Sequence, residues 1–430
     1  MKVLSKSVRL LGVFLAALMM LAACGGDNAP VRIAAYGEYG AELARTVARH
    51  FPYRSPGSGQ EERTADYLVS VLETLGLEPK VQTFQFQDST GQTLTSRNVS
   101  AEIKGRGFKL SEEEGGGVDN SGRIIIGANY DVPVSGPDYV YPDLEEGQVL
   151  SRSYAQYNGI HDNASGLSAV MLTAFQMTRE QPGYNVSIVF FGAGNAGFAG
   201  ARAYLGALSE QEKEKLVCMY NIGPVYAGDK VYAHAGQNSL EDGTHKSYHM
   251  RRKLYEATDI FFQYELNTNN RYALYTNQST FFVTKPTEPR QVIFREWTTK
   301  RSSHTPFDEA GIPIVFFESG DYNIESLDEV GRENQNPEFR ETAGRISGTP
   351  FDEEQYLFNV FRRIDEARQT EGFQISPAPE APVIGPTLPE EDDTTSQDEI
   401  DQLTRRINNT AFILVKAAER GPDGSSLAGR

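Results

Sequence analysis

The sequence predicts an α/β fold, a three-layer sandwich with helices on both faces of a mixed, mostly parallel central sheet. Two observations carry this. The runs Ile124–Ile126, Val186–Phe191 and Ile312–Phe317 are apolar almost throughout, as strands covered on both faces require. Stretches with apolar residues at helical spacing alternate with them along the chain. The 430 residues suffice for one large or two ordinary domains, and no internal repeat is visible.

Taken in order, residues 1–23 read as a targeting segment. Lys2, Lys6 and Arg9 form a charged start, and Leu10–Ala23 an apolar stretch too short for a confident membrane span. Leu21-Ala-Ala-Cys24-Gly25 resembles the lipobox of bacterial lipoproteins. That resemblance implies cleavage before Cys24, its lipidation, and an exported protein anchored to a membrane of the cell envelope. Residues 24–38 read as a tether. Cys218 is then the only other cysteine, so the fold is not stapled by a disulfide, and its apolar strand setting reads as packing.

The main domain is read as 39–374. Glu42–Phe51 carries Leu43, Ala44, Val47 and Ala48 on one face. A second helix, about Glu61–Leu75, buries Ala65, Leu68, Val69, Val71 and Leu72 and stops at Gly76. Strands follow at Lys80–Gln87, Asn98–Ile103 and Arg123–Asn129, then a polar insertion over 132–158. Gly159-Ile-His-Asp-Asn-Ala-Ser-Gly166 reads as a loop in which Asp162 and Asn163 cap the helix that buries Leu167, Val170, Met171, Ala174 and Phe175. Later elements are a helix at Phe198–Leu205, strands at Val217–Ile222 and Lys230–Ala233, a helix at Ser247–Thr258, a strand at Gln291–Phe294, and a helix over Glu353–Ala367. Residues 375–395 are rich in Pro and acid and read as an extended linker. The last helix, 396–418, opens with Ser396 and Glu399 at capping-box spacing and puts Ile400, Leu403, Ile407, Ala411 and Leu414 on one face, which packs on the main domain.

The 41 basic and 58 acidic side chains leave a net charge of -17, which argues against nucleic acid as a partner. Asp162 falls where strand ends meet a helix start, the usual place for chemistry in an open α/β sheet. The order Gly127-Ala-Asn-Tyr-Asp131, Asp162-Asn-Ala-Ser-Gly166, Phe190-Phe-Gly-Ala193, Asn221-Ile-Gly223 and Gly311-Ile-Pro313 resembles metallopeptidase family 28, over about residues 39–330. The resemblance implies a zinc-exopeptidase-like fold and a hydrolase with two zinc ions, a bridging Asp and a Glu as general base.

Carried over residue by residue, that site is depleted. Asn129 stands where the family has its first His ligand, and Asp131 where a carboxylate orients that His. Asp162 matches the bridging Asp. Gly194 stands at the general base, Asn195 and Gly223 at two further carboxylate ligands. No His follows Gly311-Ile-Pro313, and Asn323 or Gly348 takes the place of the last ligand. Amides are poor zinc ligands beside imidazole or carboxylate. Asp162, with His161 or His304, is the residual candidate for a weak metal site. A lipid-anchored pseudo-peptidase is expected, with no cofactor, binding a peptide or protein in the old cleft. The alternative is a working metal-dependent aminopeptidase or exopeptidase with a remodelled zinc site. Gly192-Ala-Gly-Asn-Ala-Gly197 also fits a dinucleotide fingerprint, but no acid follows at the end of the next strand to hold a ribose.

Overall fold

In a computed structural model, described residues are 36–370 and 400–428, excluding 113–114, 134–149, 242–244, 267–271, 277–280, 286–287, 295–299, 323–328, 330 and 423–424. Cys24, the leader, most of the tether, the linker, Ser396, Glu399 and Asn323 therefore lie outside them.

The core is an eight-stranded sheet. Its strands are β1 (Lys80–Gln87), β2 (Thr93–Ile103), β3 (Arg123–Asn129), β4 (Asn185–Phe191), β5 (Leu216–Ile222), β6 (Lys230–Ala235), β7 (Leu274–Thr276) and β8 (Ile314–Gly320). They lie side by side as β1-β2-β4-β3-β5-β8-β6-β7. The centre is parallel: β3 pairs in parallel with β4 and β5, and β5 with β8. The β1–β2 hairpin joins antiparallel at one side, and β6 turns against β8 at the other.

Alternation along β3 shows why the sequence builds three layers. Ile124 and Ile126 enter one core with α1 (Tyr39–His50), α2 (Gly59–Thr74), α3 (Gly166–Arg179), α6 (Tyr248–Gln263) and α9 (Gln402–Glu419). Ile125 points the other way, into a smaller core with Ala201 and Leu205 of α4 (Ala199–Ala207), which the short α5 (Glu210–Glu214) follows, and with Phe307 of α7 (Thr305–Glu309). Gly76, at φ +77, ends α2 as its sequence indicates. Cys218 is free and buried among the larger cluster, and burial pushes its thiol well up.

Two caps differ from the sequence expectation. Asp162 and Asn163 do not cap α3. The chain passes through a turn at Ile160–Ser165, and Asp352 takes the N–H groups of His161 and Asp162 at 2.7 and 3.0 Å. The described part of the last helix begins at Gln402, where Asp401 accepts from the Thr404 N–H at 2.8 Å. Asp352, two residues before α8 (Glu354–Thr370), thus holds the turn that leads into α3, whose first residues receive no side-chain cap.

Candidate functional site

The carboxyl ends of the parallel strands open on a cavity of about 350 Å³. Asn129 from the end of β3, Asp162 from the turn before α3, and Gly194 and Asn195 from the β4–α4 loop line one side. Lys300, Arg301, Ser302 and Ser303, then Phe316 and Glu318 of β8, line another. Glu333, Arg345 and Ser347 complete it. Gly223 lies just behind, its neighbour Pro224 forming the wall.

The β4–α4 loop is held by carboxylates. Gly192 N–H donates to Asn98 Oδ1 at 3.1 Å and Ala193 N–H to Glu61 Oε1 at 2.7 Å. Gly194 and Asn195 N–H groups each donate to Asp131 at 2.8 Å. The Asn195 amide adds a bond to Asp131 at 2.9 Å, and Asn129 Nδ2 lies 3.3 Å away on the other oxygen. Asp131 thus orients two asparagines rather than an imidazole. Burial pushes Asp131 up, against the pull of those donors. Burial, then the charge of Asp131, also raise Glu61 to about 7. All four N–H groups from Gly192 to Asn195 are taken by side-chain oxygens, three of them on carboxylates. The loop therefore offers no phosphate cradle, and the dinucleotide reading falls.

Gly194 is closed to a side chain. A Cβ there would lie 2.5 Å from Asn129 Cβ and 2.9 Å from Asp131 Oδ1. At Gly223 a Cβ would meet the Phe316 ring at 3.0 Å. His304 is buried behind this wall, its Nδ1 3.3 Å from Asn221 Nδ2 and its ring 4.5 Å from that of Phe316. It is not among the cavity-lining residues, and burial holds its imidazole deprotonated, down to about 3. Gly348 is likewise outside the lining, at φ +70 with its carbonyl accepting from Tyr154.

Lys300, Glu318 and Glu333, absent from the sequence reading, line the cavity. Glu318 Oε2 lies 3.2 Å from the Lys300 ammonium; Glu318 Oε1 accepts from the Tyr322 hydroxyl and lies 3.1 Å from His234 Nε2. Burial opposes the charge on Glu318, but Lys300 and then His234 bring it down to about 2. Glu333 accepts from the Ile346 N–H, the Ser347 N–H and the Ser347 hydroxyl at 2.6, 2.7 and 2.6 Å, and lies 3.4 Å from His161 Nε2. His161 Nδ1 accepts from the Ala227 N–H at 3.0 Å, so the ring proton sits on Nε2 and faces Glu333. Asp162 is partly exposed at the cavity. Burial, then the charge of Asp352, raise it to about 7. Beneath it, fully buried Arg54 donates to the carbonyls of Tyr130, Asn158 and Gly159 at 2.7, 2.8 and 2.8 Å and fixes the turn.

Glu318 had one visible signal: a carboxylate directly after the apolar run Ile312–Phe317. Lys300 and Glu333 sit in irregular segments whose place near Asp162 nothing local announces.

These residues do not form a donor set for a pair of zinc ions. Among the described residues, no three His, Cys, Asp or Glu side chains are placed to hold a metal ion. Gly194 and Gly223, read in the sequence as former carboxylate positions, have no room for a side chain, or little.

A sheet of this order, with its polar cavity at the carboxyl ends of the parallel strands, defines an aminopeptidase-like α/β protein. The family model for peptidase family M28 matches residues 114–353, and the chain belongs to that family. The alkaline phosphatase isozyme conversion protein of Escherichia coli K12 is 24% identical over 215 residues, 48% of this chain and 56% of that protein. Leupeptin-inactivating enzyme 1 of Streptomyces exfoliatus is 22% identical over 284 residues, 65% of this chain and 48% of that enzyme. The chain thus spans about half the length of the curated relatives it matches. The aminopeptidase from Aneurinibacillus sp. strain AM-1 superposes with a TM-score of 0.51 at 13% identity, over 93% of this chain and 97% of that one, a likeness of fold alone.

Proposed function

We propose that this protein is a lipid-anchored member of family M28 that binds a short peptide, or the end of a protein chain, without hydrolysing it. The observation that carries the reading is the closure of position 194. The family chemistry needs a general base there, and a Cβ would collide with Asn129. Asn129, Asn195 and Gly223 in place of zinc ligands support the same conclusion.

The cavity still suits a dipolar ligand. Asp162 is a carboxylate short of a counter-charge and can receive an amine. Ser303, 1% exposed with its hydroxyl unpartnered, lines the cavity with Arg301 and Arg345 and can receive a carboxylate. Anchorage through Cys24 would hold this cleft at a membrane surface of the envelope.

The test is to purify residues 25–430, measure bound zinc, and assay aminoacyl and peptide substrates with and without added metal. No zinc and no turnover are expected. Short fluorescent peptides with free termini should bind, with affinity rising as pH passes through about 7 and Asp162 ionises. Stoichiometric zinc, with turnover abolished by Asp162→Ala, would establish a working exopeptidase with a remodelled site instead. The full chain expressed in bacteria should partition into detergent, and Cys24→Ser should return it to the aqueous phase.

A further inference from the structure

Helix α6 carries an aromatic stripe on its outward side. Its buried residues, among them Leu254, Ala257, Ile260 and Phe261, turn to the sheet and to α9. Tyr248, Tyr255 and Phe262 recur at seven-residue spacing, which sets them in one row on the opposite side. Tyr248 is 71% exposed and Phe262 67%, more than any other large apolar side chain among the described residues. Tyr255 is half-buried, its ring stacked on that of Tyr248 at 5.8 Å. Tyr53, Val81, Val118, Tyr275 and Phe358 are also exposed, but each lies on a different segment, as is ordinary for single surface residues. The charges that share the row have opposite ones beside them. Arg252 lies 3.0 Å from Glu256, and Asp259 3.9 Å from Arg420.

The tether leads from the same layer of helices. The ring of Tyr36, the first described residue, lies 6.1 Å from that of Phe412 on α9. Phe412 in turn lies 5.0 Å from Tyr264, directly after α6. Residues 24–35, between Cys24 and Tyr36, can span at most about 40 Å, against roughly 24 Å for the length of α6. A domain tethered that close to a bilayer meets it at high effective concentration, so a weak contact is occupied. Tyrosine suits the membrane–water boundary because its ring is apolar and its hydroxyl stays wet. The net charge of -17 gives no general attraction to anionic lipid, so the contact is made by burying rings rather than by charge.

We propose that the outer side of α6, through Tyr248, Tyr255 and Phe262, rests on the lipid surface to which Cys24 is anchored and fixes the direction in which the cavity faces; this rests on the reading of Cys24 as a lipid anchor. No residue of α6 lines the cavity, so a bilayer on this side leaves it open.

The experiment places a reporter thiol within the row, Asp259→Cys, in the full lipidated chain added to preformed phosphatidylcholine vesicles. Asp259 is exposed and Cys218 buried, so a membrane-impermeant maleimide reads position 259. Labelling should be several-fold slower there than in the same variant carrying Cys24→Ser, free in water. An Arg202→Cys reporter on α4, which packs in the smaller core across the sheet, should label alike in both. Adding Tyr248→Ser and Phe262→Ser should restore fast labelling at 259 while the protein stays on the vesicles. These are surface changes, and an unchanged melting temperature checks that the fold is intact. Equal labelling at 259 with and without the anchor overturns the proposal and leaves the anchor reading intact. A chain that does not float with the vesicles overturns the anchor reading, and the proposal with it. Slow labelling of the unanchored protein in water would mean that a second copy of the chain covers the row, and also overturns the proposal.

Discussion

Asp162 carries its role through its surroundings rather than its own type. As the residue after His161 in a turn that Asp352 holds, it faces a second carboxylate and lies partly out of water. An Asp in an unfolded chain titrates near 3.9, roughly. Raised to about 7 in the fold, Asp162 keeps its proton where the unfolded chain has lost it. Its ionisation therefore costs stability, beginning above about pH 4 and complete above about pH 7. Asp162→Asn should match the wild type near pH 4 and exceed it near pH 8 by ~1–2 kcal/mol, discounted because the side chain reaches the cavity. Urea melts across that range read the difference. A variant less stable at the alkaline end would show that ionised Asp162 already has its cation. The position of Asp162, before a helix at the strand ends, was legible in the sequence. Its like-charged neighbour, 190 residues on, was not.

At the scale of the element, the β4–α4 loop shows how substitutions lock together. Gly194 admits the Asn129 side chain against it, and Asn195 turns its amide onto the carboxylate that holds the loop. Placing a carboxylate at the proposed base position, as Gly194→Glu, should therefore destabilise the fold by overpacking, ~1–3 kcal/mol, without producing zinc-dependent turnover. Adding Asn129→His should not rescue it, because the clash is with a Cβ that both side chains share. Melting temperature and metal content of the two variants settle this; a stable Gly194→Glu protein that binds zinc would mean the loop opens. The glycines were legible as departures from a family pattern. Their cause was not, since the clash joins a residue of β3 to a loop 65 positions later.

For the whole molecule, the decisive element is the last. Helix α9 buries Leu403, Ile407, Ala411 and Leu414 and lies against α1, α3 and α6. Its end and the segment after it are tied in by backbone bonds: Gly183 N–H donates to Ala418 O at 3.0 Å, and Lys109 N–H to Ser426 O at 2.9 Å. Burying four such side chains stabilises the fold by several kcal/mol, at ~1.5–3 each for the larger ones. A domain of ordinary marginal stability cannot lose that. A chain ending at residue 370 should be insoluble or lack a cooperative melt, and adding residues 400–430 as a separate peptide should restore one in part. A truncated protein that melts cooperatively unaided would place α9 outside the core.

Pattern in the sequence was enough for the layered α/β fold, its central strands, the stripe that docks α9, and the place of Asp162 before a helix, because apolar periodicity is local, whereas the caps were decided elsewhere. Only the tertiary structure decided what surrounds that carboxyl group. Lys300, Glu318, Glu333 and Asp352 reach it from separate stretches of chain, and whether a charge is paired depends on distances in space that no spacing along the sequence encodes.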